Sequence, residues 1–219
     1  MTGHALPDLI EDIGDYDVMF ATLLGDRGFS FERYNVVDEH YPKSPDDADG
    51  WLITGSKHGA YEDHPWIAPL ETFIRDIRDA DKPLIGVCFG HQIIAQALGG
   101  KVVKFPGGWS VGRTEYNIDG KRMTMHAWHQ DQVIELPEGA EVIGRSDFCE
   151  NAALLIGDTI LTIQPHPEFT SHVLTTIIEQ RGEGVVPDPL LAEARAEATL
   201  STDAAEFADR MAAHFKKGA

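Results

Sequence analysis

The stretch Pro83–Gly100, PLIGVCFGHQIIAQALGG, decides how this chain is read. Pro83-Leu84-Ile85-Gly86-Val87 is short, apolar and β-prone, the pattern of a buried strand. Ile93, Ile94, Ala97 and Leu98 then recur at helical spacing, and Gly99-Gly100 end the helix. Cys88 stands at the junction, inside Gly86-Val87-Cys88-Phe89-Gly90. A chain that turns from strand directly into helix forces its central residue into a strained backbone, and flanking glycines make room for that turn. The cysteine then lies at a helix N-terminus, where the partial positive charge favours an anion. The amide of Phe89 is expected to point at the same spot, as an oxyanion donor would.

Composition bounds what such a cysteine can be part of. At 219 residues the chain is long enough to bury a full core without metals or disulfides, and residues 1–219 are expected to form one domain. Its two cysteines, Cys88 and Cys149, make no disulfide framework and fit a reducing cytoplasm. No signal-peptide pattern opens the sequence, and no run is long or apolar enough to span a bilayer, so a membrane partner is not expected. The formal net charge of −18 should repel phosphate backbones, which argues against nucleic-acid binding.

Working outward, strands and helices alternate. Asp15 to Leu24 reads as a helix with Tyr16, Met19, Phe20 and Leu23 on one face. GWLITGS, Gly50 to Ser56, reads as a buried strand ending in a small-residue loop. Pro65 to Ala80 is amphipathic, with Leu70, Phe73, Ile74 and Ile77 inward. From Lys101 to Gln164 short alternating runs suggest antiparallel strands and hairpins. Further helices are expected at 171–181, 189–200 and 202–216, and Pro187 and Pro189 mark a joint before a helical C-terminal extension over 187–219. The predicted class is α/β, a mainly parallel sheet flanked by helices with an antiparallel insertion.

The second constellation is TIQPHPEF, Thr162 to Phe169. His166 lies between two prolines, directly after an apolar strand, with Glu168 two residues on. Prolines hold the backbone extended, so the two side chains project to the same side. An imidazole held against a carboxylate is what a cysteine nucleophile needs: the ring takes the thiol proton while the carboxylate fixes its tautomer. Cys88 is therefore expected beside one imidazole nitrogen of His166, with Glu168 on the other. No cofactor or nucleotide is predicted, since no Gly-rich phosphate loop is present. His126 and His129 are the close histidine pair near these motifs and lack a carboxylate at metal spacing, so no metal is predicted.

GVCFGHQ with a downstream QPHPEF resembles the class I, triad-type glutamine amidotransferases, over about Asp49 to Phe169. The resemblance implies Cys88 as nucleophile, His166 as general base and acid, and Glu168 as the orienting carboxylate. It implies a flavodoxin-like core and hydrolysis of the γ-amide of glutamine through a γ-glutamyl thioester. It places further oxyanion donors at Gly55 and Ser56 in TGSKHG, and makes Gln92, His129 and Gln130 candidate contacts to the small-molecule substrate. Family members usually open with an apolar strand, whereas this sequence opens Met1-Thr2-Gly3, so either the start is expected to be truncated or the first sheet position filled otherwise.

After Glu168 the sequence reads as helices, with no synthase domain. The first reading is thus an amidotransferase releasing ammonia to a separate synthase subunit. The alternative is a stand-alone γ-glutamyl peptidase with water as acceptor, and a non-catalytic binding relative comes last. Lys57, His58, Tyr61 and His64 are candidates for the mouth of the pocket.

Overall fold

The computed structural model describes residues 1–217. The N-terminal third holds α1 (Pro7–Ile13), α2 (Tyr16–Leu24), the short strand β1 (Trp51–Ile53) and α3 (Ile67–Asp79). The elbow region follows as β2 (Leu84–Val87) and α4 (Phe89–Ala97). Then come β3 (Lys101–Lys104), β4 (Ser110–Ile118), β5 (Lys121–His129), β6 (Asp131–Glu135), β7 (Ala140–Arg145), β8 (Ala153–Ile156) and β9 (Ile160–Ile163). The chain closes with α5 (Ser171–Ile177), α6 (Asp188–Glu197) and α7 (Ala204–Lys217).

Seven strands form one mixed sheet in the order β1-β2-β9-β8-β7-β4-β5, while β3 and β6 pair separately. β1, β2 and β9 are parallel, and from β9 outward every pairing is antiparallel. The predicted insertion therefore extends the parallel core sideways within the same sheet. Its last strand, β9, returns to lie against β2, with Val87 opposite Ile163.

Side chains alternate across the parallel strands with period two. Ile85, Val87, Leu161 and Ile163 enter one cluster with Phe20 and Leu24 of α2 and Phe207 and Met211 of α7. Leu84 and Ile160 enter the opposite cluster with Ile74 and Ile77 of α3 and Ile93 and Ile94 of α4. Helices thus cover both faces, which is why these strands are apolar throughout. Each fully buried Ile or Phe here contributes about 1.5–3 kcal/mol of transfer free energy.

Element ends follow local chemistry. Asp15 caps α2 by accepting from the Tyr16 amide at 2.8 Å, and Thr170 caps α5 by accepting from Val173 at 3.3 Å. α5 ends earlier than the expected 181 because Ile178–Gly182 widen into a π-turn. α6 packs on β4, and α7 lies against α2.

Among the described residues no strand precedes β1, which forms the edge of the sheet. The N-terminal residues run along its end instead. Thr2 donates its amide to Thr54 Oγ1 at 3.1 Å and its hydroxyl to the Gly55 carbonyl at 3.0 Å. This fixes the loop after β1. Beside the open edge lies a cavity of about 1020 Å³, lined by Phe20, Phe29, Tyr34, Trp51, Phe73 and Phe215 among others. No helix among the described residues is long and apolar enough to cross a membrane.

Candidate functional site

The register of the parallel strands brings the two motifs together. Cys88 follows the last residue of β2, and its amide donates to the Ile163 carbonyl at the end of β9, at 2.8 Å. His166 lies three residues beyond β9. Its amide donates to the His126 carbonyl at 2.8 Å, an antiparallel bridge that ties the Pro165–Pro167 segment to β5. Both side chains thus emerge at the carboxyl ends of neighbouring parallel strands, where open α/β sheets form their crevices.

Cys88 has φ 53° and ψ −103°, a positive-φ conformation rare for a side-chain-bearing residue. Glycine is required on each side of it. A Cβ on Gly90 would sit 2.2 Å from the Ile53 carbonyl oxygen, and one on Gly86 would sit 2.5 Å from that of Gly90. The predicted strand–helix elbow is therefore present. The first turn of α4 leaves the Phe89 amide without an intrahelical acceptor.

His166 is 4% exposed and donates from Nδ1 to Glu168 Oε1 at 2.7 Å. The stack of Phe169 on the imidazole, centroids 3.9 Å apart and planes 10° from parallel, holds the ring's tilt. Cys88 is the other neighbour: a Cβ built on Gly55 would meet His166 Cε1 at 3.0 Å and Cys88 Cβ at 3.8 Å. Burial works against a charge on His166. The Glu168 carboxylate and Cys88 outweigh it and raise the imidazole pKa to about 10. Glu168 Oε2 is buried with no partner.

Gly55 is thereby placed against both the cysteine and the histidine, and Ser56 follows it, its Oγ accepting from the His58 amide at 3.2 Å. The three pocket candidates separate. Gln92 is committed within the fold: Nε2 donates to the Asp131 carbonyl at 3.0 Å and to Gln164 Oε1 at 3.1 Å, tying α4 to the sheet. His129 is buried, with Nδ1 on the Asp131 carbonyl at 3.2 Å and Nε2 unpartnered. Burial lowers its pKa to about 4. Gln130 makes its contact with the Phe105 carbonyl, at 3.5 Å, and not with Cys88 or His166.

Sequence reasoning passed over Phe169, although it stands in the quoted motif, because an aromatic after a turn gives no local sign that it will fold back on a ring. It also passed over Gln164 and Asp131, whose roles arise from contacts with Gln92 of α4, distant in the sequence. His91 donates or accepts at Thr162 Oγ1, 2.8 Å away, and burial holds its pKa down to about 3. It is an interior histidine bonded to β9 through Nδ1, and its Nε2 is buried with no partner.

The fold and the site together define a class of α/β protein with a cysteine on a strand–helix elbow and a histidine–carboxylate pair at the next strand end. The family model for "Glutamine amidotransferase class-I" matches residues 15–182, and the chain belongs to that family. It is 34% identical to γ-glutamyl peptidase 4 of Arabidopsis thaliana, over 76% of this chain and 73% of that one. It is 36% identical to a glutamine-hydrolysing GMP synthase of Clostridium novyi, over 43% of this chain and 20% of that one. Among solved structures, a glutamine amidotransferase from Methylobacillus flagellatus superposes with a TM-score of 0.78 at 24% identity, covering 91% of this chain and 89% of the other. The flavodoxin-like fold expected from the motifs is thus the fold of this family's structures.

Proposed function

We propose that this chain is a stand-alone cysteine hydrolase of γ-glutamyl amide bonds, acting on small γ-glutamyl peptides with water as acceptor. The observation that carries it is the Cys88–His166–Glu168 cluster at the ends of β2 and β9. Cys88 Sγ attacks the γ-carbonyl carbon, and the oxyanion is met by the Phe89 amide and by the Gly55–Ser56 segment. His166 passes its proton to the departing amine, leaving a γ-glutamyl thioester. Water then attacks the thioester, His166 takes its proton, and glutamate leaves as the thiol reforms. Glu168 holds the ring by Nδ1 throughout, so that Nε2 works on the substrate side. Of the three pocket candidates, His129 keeps an unpartnered Nε2 for a substrate, whereas the Gln92 and Gln130 amides are bonded within the fold.

Two readings share this chemistry, and the relatives favour the peptidase over the ammonia-releasing subunit that the motifs alone put first. Similarity to γ-glutamyl peptidase 4 runs over 76% of the chain, whereas that to two GMP synthases covers 43% and 53% of it. A cytoplasmic site of action, a small-molecule substrate and no nucleic-acid or membrane partner complete the proposal; a separate synthase subunit belongs to the second reading. The test is to incubate the purified chain alone with glutamine and with a set of γ-glutamyl dipeptides, following ammonia and amine release. Dipeptide cleavage without a partner is expected. Weak activity on both that rises strongly on glutamine when a synthase is added would restore the amidotransferase-subunit reading.

A further inference from the structure

The loop that leads from Ser56 to α3 carries a second cluster, separate from the cysteine site. His64 Nε2 lies 2.7 Å from Glu62 Oε2, and His58 Nδ1 lies 3.4 Å from the same oxygen. The two imidazoles meet edge to face with centroids 4.2 Å apart. All three donor atoms fall within 4.8 Å of one another, and among the described residues no other histidine, cysteine or carboxylate trio does so. Held only as ion pairs, such partly exposed groups would contribute about 0–1 kcal/mol.

We propose that His58, Glu62 and His64 form a three-ligand site for a divalent transition-metal ion of the zinc class. The donor set is two imidazole nitrogens and one carboxylate oxygen, which suits zinc and its neighbours rather than magnesium or calcium, which take oxygen alone. Ligands on a tetrahedral ion, with bonds near 2 Å, stand roughly 3.3 Å apart, so the 2.7 Å pair needs only a small opening. The side chains are 21%, 43% and 32% exposed, which leaves the fourth position to water. The turn is already organised: the Glu62 amide donates to the Gly59 carbonyl at 3.1 Å, and the His64 amide to that of Glu62 at 3.1 Å. The His64 ring lies parallel to Trp66, within 9°, which fixes the edge it presents. The predicted absence of a metal rested on His126 and His129. In sequence the trio's spacing, three residues and then one, resembles an ordinary polar loop.

The position gives the ion something to act on. His58 is tied by its amide to Ser56 Oγ, and Trp66, beneath His64, packs against Phe89 at 5.5 Å. An ion here therefore braces the segments that carry Gly55, Ser56 and Phe89.

The test uses the full-length Cys88→Ala protein, because a thiol beside an imidazole can take zinc by itself, and it reads binding rather than turnover. After chelator treatment, zinc is titrated by calorimetry and cobalt by its visible absorption. One equivalent of zinc, an intense four-coordinate cobalt spectrum and a raised Tm are expected, with no competition from magnesium or calcium. His64→Gln and Glu62→Gln, both at partly exposed positions and so expected to fold, should each weaken binding roughly 100-fold. Absence of saturable binding, affinity in either variant equal to that of the Cys88→Ala parent, or displacement by magnesium would overturn the site and leave the hydrolase reading untouched.

Discussion

Cys88 and Cys149 are 7% and 1% exposed and lie in the same hydrophobic cluster, yet their surroundings differ in every respect that governs a thiol. Cys88 sits at positive φ on an elbow, at the mouth of a helix and beside a paired histidine. Cys149 sits in the turn between β7 and β8. Its amide donates to Ser146 Oγ at 3.0 Å, and its carbonyl accepts from the Ser146 amide at 2.8 Å. Burial pushes the Cys149 thiol up to about 12. Burial therefore does not distinguish the two cysteines. The backbone conformation and a neighbouring imidazole set the two apart, Cys88 having both at the ends of β2 and β9.

The sharpest way to break this contrast is to remove each sulfur. Cys88→Ala should lower kcat/KM on a γ-glutamyl dipeptide by about 10⁵-fold or more, while Cys149→Ala should stay within about twofold. Comparable losses in both would end the assignment. Next in size are the substitutions at His166 and Glu168. His166→Ala should cost about 10⁴-fold or more and Glu168→Gln less, about 10²–10⁴-fold, since orientation is a smaller contribution than proton transfer. A Glu168→Gln loss equal to that of His166→Ala would mean that the carboxylate does more than orient. An electrophilic glutamine analogue should then label Cys88 at least tenfold faster than Cys149 by peptide mass spectrometry. Preferred labelling of Cys149 would reverse the comparison.

The smallest expected effect is on stability against pH. The folded-state pKa of His166 is raised above its unfolded value of 6.5 to about 10. Its contribution is therefore complete below pH 6.5 and is lost as pH climbs through about 10. Urea unfolding of the wild type across pH 6.5 to 10 should show this alkaline decline, and Glu168→Gln should flatten it. A parallel slope in the variant would show that the carboxylate is not what holds the proton. His91 and His129 have the opposite sign, because burial without a carboxylate lowers them to about 3 and 4, and they weaken the fold as pH falls below 6.5.

What the amino-acid order determined by itself was local. The elbow at Cys88, the helix beginning near Asp15, the buried strands and the His166–Glu168 pair each depend on residues within a few positions of one another. Periodicity, glycine and proline report such neighbours directly. Only the tertiary structure decided that β9 returns beside β2, that His126 pins His166, and that Gln92 is spent on Asp131 and Gln164. It likewise turned Gln130 to Phe105, stacked Phe169 on His166, and gathered His58, Glu62 and His64 around one oxygen. The pairings and the Gln92, His166 and Gln130 contacts join positions far apart in the chain. Phe169 and the His58–Glu62–His64 trio depend on how a turn folds back on itself. The physical reason is that strand order and side-chain direction are settled when two faces of a sheet are covered at once, a condition no short window of sequence contains.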